Sequence, residues 1–181
     1  LPTGVVPTWG WNQLFVHDRL QQWWVPTTGG LFQFPPLRSL DDFSRARPIN
    51  VYTMQNGLSG NEPFRLFEDS RGDIWIACFV PALEVVTRWE RRTASFHRYS
   101  EAEGLRPFTS VVVFCEDAAG SVWMGLRDGG LVRRRPEAAY GEPGFGNGRF
   151  SAALDPVELA GTTTNSKIHA RRVFEAAGYP E

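Results

Sequence analysis

One motif constrains the fold of this chain more than any other feature: Asp-x-x-Gly-x-x-Trp occurs in three copies at near-constant spacing, the first of which lacks the Gly. The copies end at Trp24, Trp75 and Trp123, and in each copy an Asp lies six residues before the Trp. The Trp-to-Trp distances of 51 and 48 residues are close to the about 40–50 residues of one β-propeller blade. The sequence therefore predicts an all-β chain forming a partial β-propeller of about three to four four-stranded antiparallel blades.

The chemistry of the motif is that of a tight turn between two strands. An Asp at the first turn position accepts hydrogen bonds from backbone amides, and a Gly at the fourth tolerates a positive φ. The second and third copies have both residues, in Asp69-Ser70-Arg71-Gly72 and Asp117-Ala118-Ala119-Gly120. The first copy has Gln21 where the others have Gly, so we expect another turn geometry or a longer loop there. We expect the Trp of each motif to pack between neighbouring blades.

A second landmark supports the same period and divides the chain. Asn56-Gly57-Leu58 and Glu103-Gly104-Leu105 precede the second and third motifs and connect successive blades. Further strands are predicted between each Trp and the next landmark, at 31–34, 50–53, 83–89 and 95–99. The predicted divisions are an N-terminal segment or incomplete blade (1–11), blade 1 (12–55), blade 2 (56–101), blade 3 (102–152), and a final segment (153–181). That final segment is either a degenerate or truncated fourth blade or a short C-terminal helix, which its alanines favour.

Composition narrows the classes of partner and cofactor. The net charge is -1 with basic and acidic residues well mixed, so no nucleic acid partner is predicted. No apolar stretch approaches the about 18 residues of a membrane span, so we expect no membrane insertion within this segment. Cys78 and Cys115 are predicted to be two separate buried thiols, and the three His share no ligand spacing with them. No metal and no cofactor is predicted, and the run Arg133-Arg134-Arg135 is interpreted as a solvated strand end.

The motif residues resemble a known family. Glu68-Asp69-Ser70-Arg71-Gly72-Asp73-Ile74-Trp75 and Glu116-Asp117-Ala118-Ala119-Gly120-Ser121-Val122-Trp123, with Gly-Leu upstream, are similar to the two-component regulator propeller repeat over roughly residues 12–135. A Gly-Gly-Leu follows in the first and third repeats, and Pro81-Ala82-Leu83 replaces it in the second. The resemblance implies the periplasmic sensor part of a bacterial hybrid histidine kinase, on the periplasmic or extracellular side of the inner membrane. Such sensors often have two seven-bladed propellers that recognise carbohydrate breakdown products.

The number of blades raises the question of ring closure. About three and a half blades cannot close a seven-bladed ring. The chain is therefore a fragment of a larger sensor, an unusually small propeller, or a subunit that needs self-association or missing blades to complete the ring. Its first residue is not Met, which suggests a processed or excised segment.

Candidate ligand residues follow from the strand order. If the strand before each motif is innermost, the loops between blades and the loops after each Trp-containing strand share one face. We expect five polar residues there to hydrogen-bond an oligosaccharide or another small polar ligand: Asn61, Glu62, Arg106, Arg127 and Asp128. Trp9, Trp11 and Trp89 are the aromatics available for stacking on a sugar, although packing is the favoured interpretation of Trp89.

Three functions remain open from the sequence. The favoured one is a noncatalytic ligand-sensing module of an extracytoplasmic two-component signalling protein. The second is a propeller enzyme, a polysaccharide lyase or glycosidase, in which Glu62, Glu103 and Asp128 supply the carboxylates. The third is a scaffold that binds protein partners through blade edges.

Overall fold

A computed structural model describes residues 15–79, 86–100, 103, 105, 110–127, 130–136 and 150–154. These residues form three four-stranded antiparallel sheets. The first sheet contains β1 (Val16–His17), β2 (Trp23–Thr27), β3 (Gly30–Phe34) and β4 (Asn50–Tyr52). The second contains β5 (Pro63–Glu68), β6 (Ile74–Cys78), β7 (Val86–Glu90) and β8 (Ser95–Tyr99). The third contains β9 (Val111–Glu116), β10 (Val122–Leu126), β11 (Leu131–Arg134) and β12 (Phe150–Leu154).

In every sheet the spatial order of the strands equals their order in the chain. Each sheet is therefore a meander of hairpins, which is the structure of a propeller blade. The predicted all-β, partial propeller architecture is confirmed. Two short 3₁₀ turns, Leu40–Ser44 and Met54–Asn56, are the helical elements of the described residues. Residues 1–14 and 155–181 lie outside those residues, and with them the predicted N-terminal segment, Trp9, Trp11 and the alternatives for the C-terminal end.

The Asp of each motif organises its turn in the same way three times. In the second blade Asp69 Oδ1 accepts from the amides of Arg71 at 3.0 Å and Asp73 at 2.9 Å. The other oxygen, Oδ2, accepts from Trp75 Nε1 at 2.9 Å. Asp18 and Asp117 repeat this arrangement with their own turn amides and motif Trp. The predicted amide capping is confirmed, and the indole bond explains why the Trp lies at a fixed distance from the Asp.

The expectation of a different geometry for the first turn is wrong. Gln21 has φ 63°, in the region that Gly72 and Gly120 occupy at 87° and 76°. Its amide donates to Asp18 O at 2.8 Å, and the two Gly amides make the equivalent bond at 2.9 Å. The three hydrogen bonds to Asp18 hold the turn closed, so a non-Gly residue is forced into a left-handed conformation that costs about 1–2 kcal/mol.

We expect Gln21→Gly to stabilise the chain. The substitution removes the left-handed strain, while the greater freedom of Gly in the unfolded chain cancels part of the gain, which leaves a net increase of up to about 1 kcal/mol in the free energy of unfolding. Urea unfolding followed by tryptophan fluorescence measures it. The reciprocal variant Gly120→Ala is the control: a Cβ there meets nothing closer than 3.7 Å, so it isolates the backbone effect and should destabilise.

The chain divides into two compact units, Leu1–Arg98 and Tyr99–Glu181. In the first unit, the first two blades pack face to face around a shared apolar core. Trp24, which is fully buried, lies against Trp89 with ring centroids 4.8 Å apart. The rest of this core comes from both blades: Leu31, Leu58, Leu66, Ile74, Ile76 and Cys78. The prediction that the motif Trp packs between blades is confirmed for Trp24, and Trp89 is a packing residue.

Polar contacts also join these two blades around the second motif turn. Arg91 Nη2 lies 2.8 Å from Asp18 Oδ2, and Arg91 Nε donates to Gly72 O at 2.7 Å. From the first blade, Arg19 donates through Nε to Glu68 Oε1 at 3.0 Å and through Nη2 to Asp69 O at 2.6 Å. Each blade thus contributes an Arg that binds the motif turn of the other.

In the second unit, the third blade buries Cys115, Trp123 and Leu131 on one face. Arg133 lies over the Trp123 ring at 5.2 Å and donates to Ser121 Oγ at 3.0 Å. Arg134 is only 4% exposed. The interpretation of 133–135 as a solvated strand end is therefore wrong for Arg134, because strand alternation places its side chain on the opposite face, which it shares with the buried Val122 and Val132.

Candidate functional site

Two loops of the second blade meet at the end opposite to the motif turn. One is the connection from the first blade, which ends at Pro63, and the other begins where β6 ends at Cys78. The Phe79 amide donates to Glu62 O at 2.8 Å, which joins the loops. The third blade has the same link, from the Arg127 amide to Ser110 O at 2.8 Å. The predicted pairing of these two loop types at one end is therefore present in both blades.

Asn61 and Glu62 are exposed at this end of the second blade. Asn61 Oδ1 accepts from the Met54 amide at 2.9 Å. That bond fixes the orientation of the side-chain amide of Asn61, so its NH₂ group points away from the Met54 amide. The structure therefore positions one predicted residue by a hydrogen bond and places a carboxylate directly after it.

Phe79 is a candidate that the sequence reasoning missed. Its ring is 49% exposed, an unusual environment for a large aromatic side chain in this chain. The available signal was positional, because Phe79 follows the end of β6 where the other blades have the polar residues Thr28 and Arg127. An exposed Phe bonded through its backbone to Glu62 gives this loop end an apolar surface beside polar groups.

The other predicted residues are distributed differently. Arg127 is exposed and belongs to the second unit. Arg106 and Asp128 lie outside the described residues. Trp89, the remaining stacking candidate, is 6% exposed within the core of the first unit, so its faces are covered by protein.

Glu103, proposed as a carboxylate for the enzyme alternative, forms hydrogen bonds within its own loop. Its Oε2 accepts from the Ser100 amide at 2.7 Å and from Ser100 Oγ at 2.9 Å. The hydrogen bond from the Ser100 amide is the main cause that lowers the pKa of Glu103; burial opposes it, and the Ser100 hydroxyl lowers the pKa further. A carboxylate held ionised in this way is poorly suited to donate a proton.

The same loop design explains the Gly-Leu landmark. Before the second blade, Asn56 Oδ1 accepts from the Thr53 amide, and the Leu58 amide donates to Thr53 O at 3.0 Å. Before the third, the Leu105 amide donates to Ser100 O at 3.1 Å. Gly57 adopts φ 136°, and a Cβ there would lie 2.2 Å from the Phe96 ring. The landmark is therefore structural: it turns the chain and buries a Leu.

Comparison with known families agrees with this geometry. Residues 57–79 match the profile described as Two component regulator propeller. The match covers a single repeat, within the second blade. The matched repeat begins at Gly57, includes the Asp69–Trp75 motif and ends at Phe79, so it contains Asn61, Glu62 and Phe79 of the candidate site. No curated protein matches the chain.

Solved structures share the propeller fold. The extracellular domain of a putative hybrid two component system from B. thetaiotaomicron aligns with a TM-score of 0.56 and 20% identity, covering 76% of this chain. An extracellular domain from the same organism, described as a putative one component system, aligns with a TM-score of 0.54, 21% identity and the same 76% coverage. The chain spans only 17% of the length of each of them.

Among the residues that the structure describes, no helix has the length and apolar character needed to cross a lipid bilayer. Within the same residues, His, Cys, Asp and Glu side chains form no group of three or more that is suited to hold a metal ion.

Proposed function

We propose that this chain is a noncatalytic ligand-sensing propeller module, and a piece of a larger extracytoplasmic two-component signalling protein. The observation that carries the proposal is the loop end of the second blade, where exposed Phe79 is bonded through its backbone to Glu62, next to Asn61. The similar solved domains, both described as extracellular parts of signalling systems, support the proposed cellular location on the periplasmic or extracellular side.

The chemistry of this loop end favours a small polar ligand such as an oligosaccharide. A sugar presents C–H groups on one face of the ring and hydroxyls around its edge. An exposed aromatic ring suits the first, while an amide NH₂ and a carboxylate oxygen suit the second. In the third blade, considered by itself, Arg127 occupies the equivalent position, and its guanidinium is a suitable donor for a uronate carboxylate.

The interactions of the candidate carboxylates support a noncatalytic role. Glu103 is hydrogen-bonded within its own loop, and a glycosidase needs two carboxyl groups at about 5–10 Å from each other on either side of the scissile bond. Asn61 and Glu62 are better placed to hold a ligand than to cleave one.

The test is a thermal-shift screen against neutral oligosaccharides and oligouronates, followed by calorimetry with any compound that stabilises the chain. At a ligand concentration of one hundred times Kd, binding should add about 2.7 kcal/mol to the stability. Phe79→Ala should raise Kd roughly tenfold, equal to about 1.4 kcal/mol, and Glu62→Gln should also raise it.

Leu20→Ala is the matched control, because Leu20 is a 52% exposed apolar residue at the motif turn, at the other end of the blade meander. It should leave Kd unchanged. A flat response across both classes of sugar contradicts the proposed ligand. Turnover of a polysaccharide that disappears in Glu62→Gln would instead establish the enzyme alternative.

A further inference from the structure

The first sheet has two apolar faces, and only one of them packs on the second blade. Cross-strand partners in an antiparallel sheet share a face, and the register pairs Val16 with Trp24 and Trp23 with Phe34. The face with Trp24 forms the core shared with the second blade. The opposite face, called here the outer face, contains Trp23, Val25, Phe32 and Phe34.

The register shows what the outer face corresponds to in the second blade. In the first blade, Trp23 is the residue before the motif Trp, and it pairs with Phe34. In the second blade, Ile74 is the residue before the motif Trp, and it pairs with Trp89. Ile74 and Trp89 belong to the face that receives Trp24 of the preceding blade. The outer face of the first blade is therefore built as a surface for receiving a Trp from another blade.

A Phe from the first blade itself fills that place. Phe43 is 8% exposed, and its ring lies edge-on to both Phe34 and Trp23, with centroids 5.3 Å apart in each case. The separation between Phe34 and Phe43 is similar to the 4.8 Å between Trp89 and Trp24. Phe43 thus stands against Phe34 much as Trp24 stands against Trp89.

Phe43 is delivered by the long connection between β3 and β4, residues 35–49, called here the cap. The equivalent connection in the second blade, residues 91–94, is a tight turn. The cap turns its apolar side chains inwards, where Leu37 and Ala46 join Phe43 against the sheet. Most of its exposed residues are polar, namely Arg38, Ser39, Asp41, Ser44, Arg45 and Arg47, while Ile49 at its end is 48% exposed.

We propose that the cap stands in for a preceding blade and keeps the chain from pairing with a second copy of itself through the outer face. Without the cap, the outer face would expose an aromatic surface made of Phe34 and the part of Trp23 that His17 and Phe15 do not cover. Two copies would then bury identical surfaces against each other in a two-fold symmetric contact. This inference is independent of any ligand at the loop end of the second blade.

The experiment removes Phe43 and measures both the release of the cap and the state of association. In Phe43→Ser, we expect trypsin to cut after Arg38 and Arg45 at least tenfold faster than in the unmodified chain, because local opening limits cleavage. Sedimentation velocity should show concentration-dependent dimers of the variant, and Phe43→Ser combined with Trp23→Arg should return to the association state of the unmodified chain. Asp41→Asn, on the polar outer side of the cap, is the control and should change neither measurement.

Two results overturn the proposal. One is an unchanged cleavage rate in Phe43→Ser, which would mean that Phe43 does not hold the cap. The other is a released cap without increased association, which would mean that the cap does not block a second copy. If Phe43→Ser fails to fold, Phe43→Leu provides the same two readouts. It removes the ring that contacts Phe34 and Trp23 but keeps an apolar side chain.

Discussion

Asp69→Ala should lower the free energy of unfolding of the first unit by at least about 4 kcal/mol, as measured by urea denaturation. The carboxylate is 4% exposed and accepts from two turn amides and from the Trp75 indole. Its removal leaves three donors unsatisfied, and a buried unsatisfied group costs about 1–3 kcal/mol. The turn that joins β5 to β6 also loses its side-chain hydrogen bonds to the amides on either side of Gly72, those of Arg71 and Asp73.

Asn and Phe variants separate the parts of this effect. Asp69→Asn keeps one acceptor for the turn amides but directs an NH₂ group at Trp75 Nε1, so two donors face each other. Trp75→Phe removes the indole donor. A double-mutant cycle with Asp69→Asn and Trp75→Phe should give a favourable coupling energy of about 1–3 kcal/mol. A coupling near zero, or a loss below about 1 kcal/mol in Asp69→Ala, would contradict the role assigned to the Asp.

Arg91→Met should cost about 3–5 kcal/mol, because it leaves the buried Asp18 carboxylate without its charged partner. The Asp18 side chain has 0% exposure, and Arg91 is 16% exposed. The guanidinium also lies over the Trp89 ring at 5.3 Å, a packing contact that Met partly retains. Arg92→Met is the matched control: Arg92 is 81% exposed and pairs with Glu90 at 3.2 Å. Such a surface pair contributes about 0–1 kcal/mol.

The same pair gives the stability a pH dependence. Burial alone would raise the pKa of Asp18, but hydrogen bonds from Trp24 and Arg91 outweigh burial and hold that pKa below its usual value. A carboxyl group with a lowered pKa in the folded state stabilises the fold above its unfolded pKa of about 3.9 and loses that contribution as the pH falls below it. Unfolding at pH 7, 5 and 3 should show this loss in the unmodified chain and a smaller loss in Arg91→Met. If both proteins lose the same stability between pH 7 and pH 3, Asp18 is not the cause of the pH dependence.

The strands and turns were predictable from the sequence because their determinants are local. The motif Asp accepts from amides within four residues and from a Trp six residues away, so each copy contains the whole interaction. The Gly-Leu landmark is also local. The left-handed conformation of Gln21 was not predictable from the sequence. The turn keeps its geometry because the hydrogen bonds to the Asp18 side chain outweigh the backbone preference of one residue.

Contacts between distant segments escaped the sequence reasoning. Arg19 and Arg91 bind across the first two blades, and nothing in their own surroundings distinguishes them from solvated arginines. Phe43 lies in a loop, and its local sequence does not indicate the ring contact that it makes with Phe34. At the candidate site, the position of Asn61 and Glu62 followed from the strand order, whereas the exposure of Phe79 depends on how the loop leaves β6. The hydrogen bonds between Glu103 and Ser100 likewise could not be predicted without atomic positions.

The two buried cysteines provide a separate probe for the opening of each unit. Cys78 lies in the core of the first unit and Cys115 in that of the second, and both are buried. Burial raises the pKa of Cys78, while burial together with the nearby Asp117 raises the pKa of Cys115 to about 12. The reactive thiolate is therefore almost absent in the folded chain at neutral pH. Modification by a thiol reagent waits for the surrounding unit to open, so the labelling rates at these two positions report the opening of each unit separately.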